Sequence, residues 1–90
     1  MDESKVIVYR QIGAKVAYYR TMRRMTQLEL AKAVHISRST LYRIEHGRYD
    51  EGISLSTLID IAMGLHVELS QLTSFTEEEK QLWRESDVDI

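Results

Sequence analysis

Ninety residues with 43% apolar and 29% charged side chains describe one small globular domain rather than a disordered chain or a membrane protein. Without cysteine there are no disulfides, thiolate metal sites or cysteine nucleophiles, and no apolar stretch approaches the roughly 20 residues of a spanning helix. The formal net charge of -2 hides an asymmetry: ten of the 12 Lys and Arg lie between Lys5 and Arg48, whereas ten of the 14 Asp and Glu lie from Asp50 onward.

Taken in chain order, Asp2 and Glu3 open the sequence where a secretory signal would place a basic and then a long apolar region, so a cytoplasmic location is expected. From about Ser4 to Met22, Ile12, Val16 and Tyr19 recur at helical spacing and predict a first amphipathic helix. Thr26-Gln-Leu-Glu forms a potential capping box and starts a second, whose inner stripe is Leu30, Ala31 and Val34. Ser37 caps a third, with Leu41 and Ile44 facing inward and Gly47 where it ends. Arg48 to Ile53, polar and containing Gly52, reads as the longest internal loop. Ser54 caps a fourth helix, for which Leu55, Leu58, Ile59, Ala62 and Met63 are the expected buried stripe. A short fifth helix follows near Glu68 to Thr73, and Thr76-Glu77-Glu78-Glu79 opens a final short helix carrying Leu82 and Trp83, with fraying expected past Glu85.

The informative stretch is Gln27 to His46, two short helices joined by a tight turn. Packing them steeply requires a small residue where the backbones approach, supplied by Ala31, and apolar residues at Leu30, Val34, Ile36, Leu41 and Ile44. All six are present, inside a basic surround, which is the pattern of a helix-turn-helix. The outward positions of its second helix are Arg38, Ser39, Tyr42, Arg43 and His46, with Ser37 at the end that enters the major groove. Arg38 and Arg43 have the fork geometry to bind guanine O6 and N7. Ser39 reads ambiguously, and Tyr42 can meet a thymine methyl or a phosphate. Gln27 and the nearby N–H groups are candidates to hold a phosphate, and Arg48 is a second clamp. Arg23 and Arg24 are expected to contribute field rather than contacts.

These pieces resemble the helix-turn-helix domains of the lambda repressor and Cro family over about Ile12 to Leu72. The matching segments are Ile-Gly-Ala-Lys-Val-Ala-Tyr-Tyr-Arg, Met-Thr-Gln-Leu-Glu-Leu-Ala, Ser-Thr-Leu-Tyr-Arg-Ile-Glu-His-Gly and Leu-Ser-Thr-Leu-Ile-Asp-Ile-Ala. The resemblance implies an all-α, compact five-helix domain, here with the additional C-terminal helix, that binds double-stranded DNA specifically and mostly as a dimer. It also implies a phosphate role for Gln27 and an internal ion pair between Arg20 and Glu45. The chain departs from the family at His35 and His66, where glycine is usual. Both positions call for positive φ, which histidine tolerates at modest cost, and the competing reading as metal ligands or pH sensors finds no zinc spacing.

The expected organisation is a helix-turn-helix domain over residues 1–75 and an acidic C-terminal helix and tail over 76–90. The expected function is a sequence-specific transcriptional regulator, a repressor or autoregulating controller, reading a palindromic operator as a homodimer. Leu69, Leu72, Phe75 and Trp83 are the candidate dimer contacts, with Phe75 and Trp83 alternatively folded back on their own core. The competing function is a protein-interaction module, antitoxin-like or an anti-repressor partner, acting through the acidic C-terminal part. No triad, metal cluster or phosphate-binding glycine loop supports catalysis, and no cofactor or metal is expected.

Overall fold

Side chains supplied by the sequence fix the helix starts. The computed structural model describes residues 3–48 and 52–88, in the order α1 (Glu3–Met22), α2 (Gln27–Ala33), α3 (Arg38–Glu45), α4 (Leu55–Leu65), α5 (Leu69–Thr73) and α6 (Glu77–Val88), with no strand among the described residues. Tyr49, Asp50 and Glu51 of the expected loop lie outside them. Ahead of α2, Thr26 Oγ1 accepts the Glu29 N–H at 3.0 Å while Glu29 Oε1 accepts the Thr26 N–H at 2.8 Å. Ser37 and Ser54 accept the N–H groups of Thr40 and Thr57 at 3.0 and 3.1 Å. Thr76 and Glu79 repeat the reciprocal box at α6, and each such cap contributes about 0.5–2 kcal/mol.

Helix ends use the left-handed region. His35 (φ 59°) and His66 (φ 58°) adopt it, as the departures from glycine require, and so does Arg24 (φ 56°), which ends α1 without any glycine to signal the turn. Arg23, expected only to add field, instead donates from Nε to Leu65 O at 2.9 Å and from Nη2 to His66 O at 3.1 Å. It thereby satisfies carbonyls left open where α4 ends, at the negative pole of that helix.

The core gathers Val16 of α1, Leu30 and Ala31 of α2, Leu41 and Ile44 of α3, Ile61, Ala62 and Leu65 of α4, and Leu72 of α5, with Val34 between α2 and α3. The stripe expected on α4 is wrong in three of its five members. Leu58 and Ala62 are buried, but Leu55, Ile59 and Met63 are 62%, 39% and 69% exposed, and Ile61 and Leu65 occupy the interior instead. The cause is that α4 is apolar on two adjoining flanks and packs against α1, α2 and α5 on one only. Leu72 is likewise corrected as a dimer contact: it is 0% exposed within its own chain and has no surface to offer a partner.

The last helix runs to Val88, past the expected fraying point, and lies against α1. Lys15 Nζ meets Glu79 Oε2 at 2.8 Å and stands 5.9 Å from the centre of the Phe75 ring. The Lys15 ammonium, with the Thr76 N–H, holds the Glu79 carboxyl below its ordinary value of 4.5. A depressed carboxylate stabilises the docked helix at neutral pH, and that contribution is lost as pH falls through the carboxylate range. Trp83 fluorescence is therefore expected to report release of α6 on acidification. Glu79→Gln, which keeps the capping box, should flatten that pH dependence, and an unchanged profile would refute the assignment. No described helix is long and apolar enough to cross a membrane.

Candidate nucleic-acid interface

Two contacts, one of bare backbone and one ionic, hold the outward face of α3 in place. The first is a close approach: α1 crosses the last turn of α3 at Gly13, where a Cβ would collide with Ile44 O and stand 2.7 Å from Glu45 O. Only glycine allows the two backbones this close. Seven residues on, and so on the same face of α1, Arg20 donates from Nε to Glu45 Oε2 at 2.7 Å, from Nη2 to Glu45 Oε1 at 3.1 Å, and from Nη1 to Met25 O at 2.8 Å. The pair is bidentate and the Glu45 side chain is only 3% exposed. The family resemblance pointed to this pair, and the geometry makes it the tie between α1 and α3.

Gln27 joins the same group. Its Nε2 donates to Glu45 Oε1 at 3.0 Å, so the amide assigned to a phosphate is engaged with a carboxylate of the frame, with one N–H left over. Sequence reasoning missed this bond because each partner had a complete local explanation of its own.

At the other end of α3, α2 packs through Ala31 and Leu30 onto Leu41, and the Ile36 N–H reaches back to Ala31 O at 3.0 Å to close the turn. Ser37 is exposed, and its hydroxyl donates to Thr40 Oγ1 at 2.8 Å besides accepting the Thr40 N–H. With Leu41, Ile44 and Glu45 buried, the remaining turns present Arg38, Ser39, Tyr42, Arg43 and His46 to solvent together. Tyr42 and His46 are stacked, ring centres 4.0 Å apart at 25°, and His46 Nδ1 lies 2.8 Å from Tyr42 O. The pair forms one flat apolar platform at the C-terminal end of the row. Arg38, at the opposite end, and Arg43, five residues on, are long cations on this face. Arg48 is exposed just beyond Gly47, whose positive φ of 66° turns the chain away from the helix axis.

An eight-residue helix, exposed on one face and rigidly backed on the other, has the diameter of about 10–12 Å that a DNA major groove admits, and its side chains can donate to base edges and phosphates. Leu69 is half-buried, while Phe75 and Trp83 are half-buried and line a cleft with residues of α1, the folded-back alternative. No group of three His, Asp or Glu able to hold a metal occurs among the described residues.

Comparison with known proteins agrees with this geometry. A helix-turn-helix family model matches residues 16–72. An HTH-type transcriptional regulator of Methanocaldococcus jannaschii is 39% identical over 54 residues, covering 60% of this chain and 82% of that protein. The immunity repressor protein of Bacillus phage phi105 is 34% identical over 83 residues, which is 88% of this chain but 56% of the repressor's length. Among solved structures, the restriction-modification controller protein C.AhdI from Aeromonas hydrophila superposes with a TM-score of 0.67 at 25% identity, covering 71% of this chain and 94% of its own. Its matched residues, its fold and its relatives place this chain in the lambda repressor and Cro-like helix-turn-helix family of non-enzymatic, DNA-binding transcriptional regulators.

Proposed function

We propose that the protein is a repressor or autoregulating controller that reads a palindromic operator as a homodimer, with α3 in the major groove. The observation that carries this reading is the row Arg38, Ser39, Tyr42, Arg43 and His46, all exposed on a helix whose inner face is locked to α1 and α2. The names of two relatives, an immunity repressor and a controller protein, support the regulatory sense. Arg38 and Arg43 are the base readers. Ser37, Arg48 and the spare N–H of Gln27 contact phosphates and so set register without reading sequence.

Arg38→Ala and Arg43→Ala are each expected to weaken specific binding by about 1–3 kcal/mol and to relax base preference, while Arg48→Ala weakens cognate and scrambled duplexes alike. Titrations at fixed salt, against an operator selected from random DNA, check this. Unchanged specificity in both arginine variants would sink the assignment.

One reading helix covers too few base pairs for tight discrimination, and two copies spaced by roughly 34–36 Å along the duplex would double the contacts. The exposed stripe Leu55, Ile59 and Met63, together with half-buried Leu69, is the apolar surface suited to a second copy, and Leu72 has no part in it. Ile59→Glu combined with Met63→Glu is expected to give a folded monomer in sedimentation equilibrium where the parent protein is a dimer. A parent that stays monomeric at micromolar concentration, with and without a palindromic duplex, would end the proposal. The alternative is a partner bound through the acidic C-terminal part, where Leu82 is 62% exposed on α6 while Phe75 and Trp83 are half-buried beside α1.

A further inference from the structure

Of the outward side chains of α3, Arg38 and Arg43 are donors only, and the hydroxyls of Ser39 and Tyr42 can take either part in a hydrogen bond. His46, exposed at the C-terminal end of the same row, is held so that its part is fixed. Its Nδ1 lies 2.8 Å from Tyr42 O, a carbonyl that can only accept, so the bond requires the proton on Nδ1. In the neutral ring that leaves Nε2 without a proton, an acceptor and nothing else. The arrangement is braced twice over: Tyr42 O also accepts the His46 backbone N–H at 3.1 Å, and the imidazole is stacked on the Tyr42 ring with centres 4.0 Å apart.

We infer that His46 is a specificity-determining residue whose Nε2 accepts a hydrogen bond from an exocyclic amino group, adenine N6 or cytosine N4, in the major groove. The inference rests on the proposed reading of α3 as the helix in that groove. Each base pair carries one such amino group, and its place in the groove differs from pair to pair, so an acceptor held at a fixed point favours one pair over the others. The arginines cannot do this, because an amino group gives their N–H groups nothing to donate to. A phosphate does not suit the neutral ring, since Nε2 and the phosphate oxygens are all acceptors. Stacking on Tyr42 reduces the side-chain freedom lost on binding, so the bond is made by a group already in position.

Sequences are selected from random DNA at about pH 8, where imidazole is ordinarily neutral, by the parent protein and by His46→Phe, which keeps a ring on Tyr42 and removes the acceptor. The variant is expected to lose base preference at one position of each half-site and to keep it at the others. The parent's operator is then made with purine in place of adenine, or 2-pyrimidinone in place of cytosine, at that position of one half-site, which deletes the amino group alone. The parent is expected to bind the substituted duplex roughly fivefold more weakly than the operator, the yield of one neutral hydrogen bond, whereas His46→Phe binds the two alike. His46→Ala serves in its place if the phenylalanine disturbs the fold. Three results would each overturn the proposal and leave the reading of α3 standing: unchanged preference in the folded variant, an equal loss on amino deletion in parent and variant, or an even loss by the variant on all sequences, which would put the ring on a phosphate. A parent that selects no sequence overturns both.

Discussion

Replacing Glu45 with alanine is expected to destabilise the protein by about 3 kcal/mol and to lower its Tm by about 15 °C, while leaving every exposed side chain of the reading helix in place. Glu45 is the common acceptor for Arg20 and Gln27, so its removal strands a guanidinium and an amide in a largely enclosed space. Breaking a fully buried pair costs about 3–5 kcal/mol, and the partial exposure of Arg20 puts this case at the low end. Urea denaturation checks the magnitude. The double variant Glu45→Leu with Arg20→Met should recover much of the loss, because an apolar pair leaves no charge unmatched. A loss in DNA affinity without a loss in stability would show that Glu45 touches the duplex instead.

Gly13→Ala is expected to cost about 2–3 kcal/mol, although alanine is the better helix former by about 1 kcal/mol. The methyl group would run into the Ile44 and Glu45 carbonyls, and backbone cannot rotate aside as a side chain can. Gly64→Ala is the internal comparison. Its methyl would press on Val34 Cγ1 at 2.7 Å and Leu30 Cδ1 at 3.4 Å, side-chain atoms that can shift, so a change within about 1 kcal/mol is expected. Chemical denaturation of the two variants side by side checks the contrast, and equal costs would remove the close approach at Gly13 as the cause.

The helix-turn-helix was legible because its signals are local. Caps at Thr26 and Ser37, the small Ala31 and the apolar offsets across the turn all act within a few residues, and the structure places them as that pattern requires. The two histidines at left-handed positions were legible for the same reason. What failed depended on partners distant in sequence. Nothing local distinguishes the flank Leu55, Ile59 and Met63 from the buried side of α4, since both repeat at helical spacing and only the arrangement of α1, α2 and α5 chooses between them. Arg23 reaches a carbonyl 42 residues away, and Gln27 a carboxylate 18 residues away. Their chemistry permitted those bonds and equally permitted a phosphate. The row on α3 was read correctly as outward-facing because Leu41 and Ile44 leave only one face free, whereas the engagement of Gln27 could be seen only once α1 had delivered Arg20 to the same carboxylate.

The Glu79 carboxylate has two duties: one oxygen accepts the Thr76 N–H that starts α6, and the other accepts the Lys15 ammonium that ties α6 to α1. Winding this segment and seating it therefore draw on a single group. When that group lets go, the first turn keeps the Glu79 N–H bond to Thr76 Oγ1 but loses the reciprocal half of its cap at the same moment as the helix loses its anchor. Intermediate arrangements, such as a wound helix drifting free or an unwound strand held in position, forfeit one of the two bonds without freeing the other partner. The C-terminal segment should accordingly open and close as one small cooperative unit, its amide protons exchanging together, above a body of five helices that stays shut.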